Sequence, residues 1–391
     1  MKFVGNISFT LISRSLVAVI NFIMIVITSR VLGPEGRGDI ALLMTDVSIT
    51  MMIFGIVGGS TVIYHLPKYK SIIKVILFAL LLLVPVIVLS NITFDFIHPS
   101  VYRSLVTMMM LVVGLSTVGL NVLIGRKEIV KYSLLSLLAP LFTLLVFYFH
   151  RSHSIETYLQ AYLIGQSVIV LGLFSVWKQV FISKIELDTQ AWKKIATYGI
   201  TNEMAGFIQF VSYRASLYVL FWYVNKAEAG KYANALVLCE SLWIISRSIA
   251  LNQYSEIVNE PDKAVLITKK SLKYIIVLML PAIVLLLLLP QELYAQLFGN
   301  KFDGIKQDMI YLLPGVFALA VSSSWANYFS AIGKVYINNI KAFTGTVVIA
   351  ISLVVLVPLY GRTGAAIATS LSYISSFFVL VYFYYVKKNP C

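Results

Sequence analysis

The chain has 391 residues, of which 59% are hydrophobic and only 12% charged, at a mean hydropathy of +0.87. Apolar residues run in continuous blocks rather than with the periodicity of a soluble core, which excludes a set of soluble domains. A net charge of +14 would suit a nucleic-acid binder, but the lysines and arginines gather in short gaps between apolar blocks, so no nucleic-acid partner is expected.

A hydrocarbon core about 30 Å thick is crossed by roughly 20 helical residues. Twelve blocks fit that length, near 5–31, 39–64, 72–96, 104–125, 132–150, 157–177, 196–224, 232–252, 272–290, 308–331, 336–358 and 362–386. The expected fold class is an all-α membrane protein. Starting from a cytoplasmic amino terminus and alternating, the gaps assigned to the inside carry most of the Lys and Arg. The positive-inside rule therefore predicts two cytoplasmic termini. The first block is long and lacks a small-residue cleavage site, so it reads as a true span rather than a signal peptide.

The first span carries a polar stripe. Thr10, Arg14, Asn21 and Thr28 fall close to one helical face. That stripe is expected to face the protein interior. Span two carries Asp46. Spans three and nine have no charge between their ends and read as outer, lipid-facing helices.

A polar joint at the midpoint suggests two halves: an N-terminal six-helix bundle over 1–180, a cytoplasmic linker over 181–195 and a C-terminal six-helix bundle over 196–391. Gly38-Asp39-Ile40-Ala41 and Gly230-Lys231-Tyr232-Ala233 open corresponding spans, as a duplication requires.

Span seven is the most polar. Asn202, Gln209 and Ser216 share a stripe. Glu203 and Arg214 share another, and Tyr213, Tyr218, Trp222 and Tyr223 add ring and hydroxyl surface. Span eight carries Glu240 and Arg247 on one face, about 10.5 Å apart along the helix and too far for a helical ion pair. Polar faces on the first two spans of each half are the distribution expected around a central cavity.

Two roles fit Arg14, Arg30, Arg214 and Arg247. They pair with Asp46, Glu203 or Glu240 across helices, or they line a wet cavity that takes anions, where Arg offers two-pronged hydrogen bonds to phosphate. As a set they favour the cavity; Arg30, near a span end, can reach the interface instead.

Absent motifs narrow the chemistry. There is no P-loop, G-x-S-x-G or H-E-x-x-H. His150 and His153 lack a supporting ligand set, and Cys239 and Cys391 make no disulfide framework. Neither an enzyme, a metal site nor a bound cofactor is expected.

Two segments carry a family likeness. Thr28-Ser29-Arg30-Val31-Leu32-Gly33-Pro34-Glu35-Gly36-Arg37-Gly38 is one. The other is Ala331-Ile332-Gly333-Lys334 followed by Val357-Pro358-Leu359-Tyr360-Gly361-Arg362-Thr363-Gly364-Ala365-Ala366-Ile367-Ala368-Thr369. Together they resemble the Wzx-type oligosaccharide-lipid flippases of bacterial polysaccharide synthesis. These are grouped with the MATE drug exporters and the lipid II flippase in the MOP exporter superfamily.

The resemblance implies two six-helix bundles around a cavity that opens alternately to either side. It implies as substrate an O-antigen or capsule repeat unit on undecaprenyl pyrophosphate, carried across the bacterial inner membrane. Membrane lipid and glycan-assembly proteins are the implied partners. Relatives carry essential cavity arginines, which by position implies Arg14 and Arg214. Arg247, Asn21, Asn202, Gln209, Tyr213 and Tyr218 complete the candidate substrate contacts. Asp46, Glu203 and Glu240 are candidates for coupling to H+ or Na+, with the membrane potential as the alternative drive. A multidrug or organic-cation antiporter, and a membrane glycosyl polymerase or ligase, are the rival readings.

Overall fold

A computed structural model describes residues 2–69, 72–182 and 188–386, with the side chains of 2–11, 202, 205, 251 and 255 outside the described set. The described residues are helical apart from short turns. The chain runs through α1 (Lys2–Gly58), α2 (Ser60–His65), α3 (Ile72–Ile97), α4 (Arg103–Gly125), α5 (Ile129–Phe149), α6 (Ile155–Gly172) and α7 (Phe174–Ile182). It continues through α8 (Thr189–Tyr223), α9 (Lys226–Ser241), α10 (Trp243–Asn259), α11 (Ala264–Leu288), α12 (Gln291–Phe298), α13 (Ile305–Ala331) and α14 (Tyr336–Val381). Part of the expected linker, 183–187, lies outside the described residues.

Eight helices are long and apolar enough to cross a membrane, or up to ten if two bent pairs each count as one span. Two of the eight are too long to be one crossing. At 1.5 Å per residue, the 57 residues of α1 would extend about 85 Å, nearly three bilayer cores. Both long helices break at a glycine with positive φ: Gly33 (φ 68°) in α1 and Gly361 (φ 54°) in α14. A side chain is disfavoured in that conformation, and Pro34 bars Gly33 from the helical region as well. The expected gaps at 32–38 and 359–361 are thus sharp breaks rather than loops. Span eight is also divided, as α9 and α10, at Leu242. Span seven is bent by 49° between Thr189–Thr201 and Gly206–Tyr223.

Lipid offers no hydrogen bonds, so span hydroxyls turn back on their own helices. Thr28 donates to Met24 O (2.7 Å), Thr50 to Asp46 O (2.8 Å) and Thr143 to Ala139 O (2.9 Å). Outward faces are apolar: Leu81, Val84, Val88 and Leu89 on α3 and Val277, Val284 and Leu285 on α11 are exposed.

Two compact units emerge from the packing. The first joins the chain up to Leu32 with Leu43–Phe207; the second joins Gly33–Leu42 with the chain from Ile208 on. In the first unit, α5 and α6 approach so closely that a Cβ on Gly165 would lie 2.4 Å from Ala139 O. Small residues permit such approach where lipid gives helices no hydrophobic drive to associate.

In the second unit, Gly33–Leu42 lies on the start of α9 through a reciprocal glycine contact. A Cβ on Gly38 would lie 2.0 Å from Lys226 O, and one on Gly230 would lie 2.0 Å from Pro34 O. Arg37 Nε donates to Asn234 Oδ1 (2.9 Å), and Lys226 pairs with Asp39 (2.8 Å) beside it. These residues begin the two segments that correspond in the sequence halves.

Gly38→Val therefore forces backbone apart and is expected to destabilise the purified protein by about 1–3 kcal/mol, read as a drop in the thermal midpoint. Gly55→Ala, where no atom lies within 4 Å of the added Cβ, should be neutral or slightly stabilising.

Candidate functional site

In the second unit, α8, α9, α10 and α14 bring charge and aromatic surface together. Arg214 Nη2 donates to Glu240 Oε2 at 3.1 Å. The pair is one-pronged, and Glu240 Oε1 is buried without a hydrogen-bond partner. Phe210 lies under the Arg214 guanidinium at 5.6 Å. Tyr213 meets Tyr373 edge-on at 4.7 Å and Trp243 at 5.7 Å, and Gln209 donates to the Tyr213 hydroxyl. Arg247 lies over the Trp243 ring at 5.6 Å and is otherwise exposed. Cation–π contact of this kind holds a guanidinium while leaving its N–H groups free for an anion. A hydroxyl relay runs beside the pair: Ser216 to Thr369 (2.7 Å) and Thr369 to Tyr232 (2.8 Å).

In the first unit, Asp46 is fully buried, bonded by His98 Nε2 at 3.0 Å and Arg103 Nη1 at 2.9 Å. Arg103 also pairs with Asp95 at 2.7 Å. Glu203, at the bend of α8, accepts from Ser60 at 2.6 Å. Arg14 and Asn21 are exposed on α1, whereas Thr28 is buried. Among the described residues Arg14 has no ion-pair partner.

The expected site is thus only partly assembled. Arg214, Glu240, Gln209, Tyr213 and Arg247 come together; Tyr218 is half-buried further along α8. The side chain of Asn202 lies outside the described residues. On the α1 stripe, Arg14 and Asn21 are exposed and Thr28 is buried. Of the two α8 residues expected to share a face, Glu203 accepts from Ser60 and Arg214 donates to Glu240. Asp46, an expected coupling candidate, is held by His98 and Arg103.

A second charged cluster has no counterpart in the sequence reading. Asp308, at the start of α13 and fully buried, lies 2.6 Å from Arg362 Nε. Neither atom completes a hydrogen bond, so the contact is electrostatic rather than well aimed. Arg362 also bonds Glu228 at 2.7 Å and Asp303 O at 3.1 Å, and Lys231 pairs with Glu228 (3.0 Å) and Asp303. Gly304, with φ 71° and no Cβ, leaves room for the Arg362 guanidinium. The signal that could have located this cluster is Arg362 inside the Gly361–Thr369 motif, which reads as a loop cation until Gly361 is seen to break a helix. In the turn before α13, the hydrogen bond from Lys231 holds the Asp303 carboxyl below its ordinary range.

No protein-family model and no curated protein matches the chain. Its fold is nevertheless shared with solved transporters. Against the lipid II flippase MurJ in an inward closed conformation the TM-score is 0.80 at 16% identity, covering 97% of this chain and 88% of that one. Against an inward-facing multidrug resistance MATE family transporter of the MOP superfamily it is 0.68 at 14% identity, covering 95% and 96%. A MOP superfamily transporter from Pyrococcus furiosus, described by the reverse polarity of its binding pocket, gives 0.61 at 12% identity, covering 94% of each. The chain is an all-helical membrane protein with a MOP transporter fold.

Removing one partner from a buried pair leaves an uncompensated charge, a loss of about 3–5 kcal/mol. Arg103→Met should thus destabilise more than Asp46→Asn, with a double-mutant cycle in thermal unfolding showing strong coupling. Asp303 contributes stability above the ordinary Asp range and loses it as pH falls through its depressed folded value. Asp303→Asn should therefore flatten the acid side of the stability profile.

Proposed function

We propose that this protein flips an isoprenyl-diphosphate-linked oligosaccharide, of the O-antigen or capsule repeat-unit class, from the inner to the outer leaflet of a bacterial plasma membrane. In this reading it is a Wzx-type flippase with twelve crossings, counting each arm of the broken helices, and two cytoplasmic termini. The observation that carries it is the pair of exposed guanidiniums, Arg14 and Arg247, neither paired with a carboxylate among the described residues. A charge exposed within an apolar span must meet water or a polar ligand rather than lipid. The likeness to a lipid II flippase supports a lipid-linked substrate as that ligand.

Arg214 has a conditional role. A diphosphate competes with Glu240 for its free N–H groups, and Glu240 Oε1 already lacks a partner. Gln209 and Tyr213 bond sugar hydroxyls in this account, and the isoprenoid tail stays in lipid. An inside-negative potential favours outward movement of each negative charge by about 2.3 kcal/mol per 100 mV. Asp46 is an unsuitable coupling group while Arg103 and His98 hold it, which leaves Glu240 and Glu203 for that role.

The MATE-like fold favours a second reading, a multidrug antiporter. Exposed arginines disfavour an organic cation, and drug sensitivity of a deletion strain separates the two readings.

Arg14→Ala and Arg247→Ala are each expected to lower surface glycan at least tenfold at normal protein abundance, measured by glycan staining of complemented deletion cells. Normal display in the Arg14→Ala, Arg247→Ala double variant contradicts the anion-contact account.

A further inference from the structure

α7 takes no part in that mechanism, yet it is built with three distinct faces. It follows α6 across a 59° bend at Leu173. At 1.5 Å per residue the 18 residues of α6 cover about 27 Å, close to the thickness of a hydrocarbon core. α7 therefore begins where the hydrocarbon ends, and the bend turns it toward the membrane plane. One face packs on protein: Val176 is buried, and a Cβ on Gly119 of α4 would lie 2.4 Å from Leu173 and 3.3 Å from Trp177. A second face is apolar and open. Phe174 and Phe181, two turns apart on one side, are 70% and 86% exposed. The third face is polar and carries Ser175, Lys178 and Gln179, which are neighbours one turn apart.

Cations from the adjoining helices are tied to that polar face. Arg126 Nη2 donates to Gln179 Oε1 at 2.6 Å, and Lys131 Nζ donates to Ser175 Oγ at 2.9 Å. Ser175 and Gln179 both adjoin Lys178 on the helix surface, so these bonds set three cations side by side. Lys127, next to Arg126, is exposed and has φ 62°, the left-handed region that favours glycine. Against these four cations, the α4–α5 turn, the first turn of α5 and α7 together hold one carboxylate, Glu128.

An apolar edge beside a cationic one, at hydrocarbon depth, fits a ligand with the same two parts. We propose that α7 with Arg126, Lys127, Lys131 and Lys178 is a docking surface for anionic phospholipid of the adjoining leaflet. Phe174 and Phe181 enter the acyl boundary, and the four cations donate to the headgroup phosphates. The excess of positive charge selects anionic over zwitterionic headgroups. The surface shares no residue with the candidate transport site and does not depend on the transported substrate.

The test is thermal unfolding of the full chain in neutral detergent, with dioctanoyl phosphatidylglycerol, dioctanoyl phosphatidylcholine or inorganic phosphate at matched ionic strength. Wild type is expected to gain about 2–5 °C at saturation with phosphatidylglycerol, and little with phosphatidylcholine or phosphate. The Lys127→Gln, Lys178→Gln double variant should melt as wild type without lipid and lose at least half of the phosphatidylglycerol shift. If it does not fold, Lys178→Gln alone supplies the comparison. Lys269→Gln, Lys270→Gln on α11 removes the same charge from exposed positions elsewhere and should keep the shift. Equal shifts with the two lipids, a response to phosphate alone, or the same loss in the α7 and α11 variants overturns the proposal. So does a wild-type response in the α7 variant.

Discussion

A charge placed among apolar helices must be neutralised by a partner or kept in contact with water, and the structure is arranged around that demand. Asp46 is held by His98 and Arg103, Asp308 by Arg362, and Glu240 by Arg214. Each of these carboxylates meets an arginine on another helix, so electrostatic neutralisation fixes helix packing in the same stroke. Buried pairs give little net stability against apolar alternatives, but each is costly to break singly. They specify which helices belong together.

Against this background the cations outside such pairs stand out. Among the described residues, Arg14 and Arg247 are exposed and paired with no carboxylate. Nothing about packing requires them, because leucine or methionine would serve the fold as well. In the proposed function, a ligand with negative charge gives both a purpose. The aromatic group of Tyr213, Trp243 and Tyr373 beside Arg214 and Arg247 adds flat surface suited to sugar rings.

Much of the fold was legible in the sequence because hydrocarbon thickness sets span length directly. The span positions follow the helices closely, and the corresponding segments at Gly38 and Gly230 do fall on one contact. Less visible were the breaks. Gly33 and Gly361 read as loops because positive φ is a property of a conformation, not of composition. The site was legible where partners lie near in sequence or on one face, as for Gln209, Tyr213 and Arg214. It was illegible where a partner lies a whole helix away: Asp46 with Arg103, Asp308 with Arg362. A single sequence carries no signal of such pairing.

The central claim is that exposed guanidiniums bind a diphosphate headgroup. Its most direct measurement is the affinity of the purified protein for farnesyl pyrophosphate against farnesol, over a range of salt. The account predicts much tighter binding of the pyrophosphate, weakened by salt. Equal affinity for the charged and uncharged lipids, unchanged by salt, would contradict it.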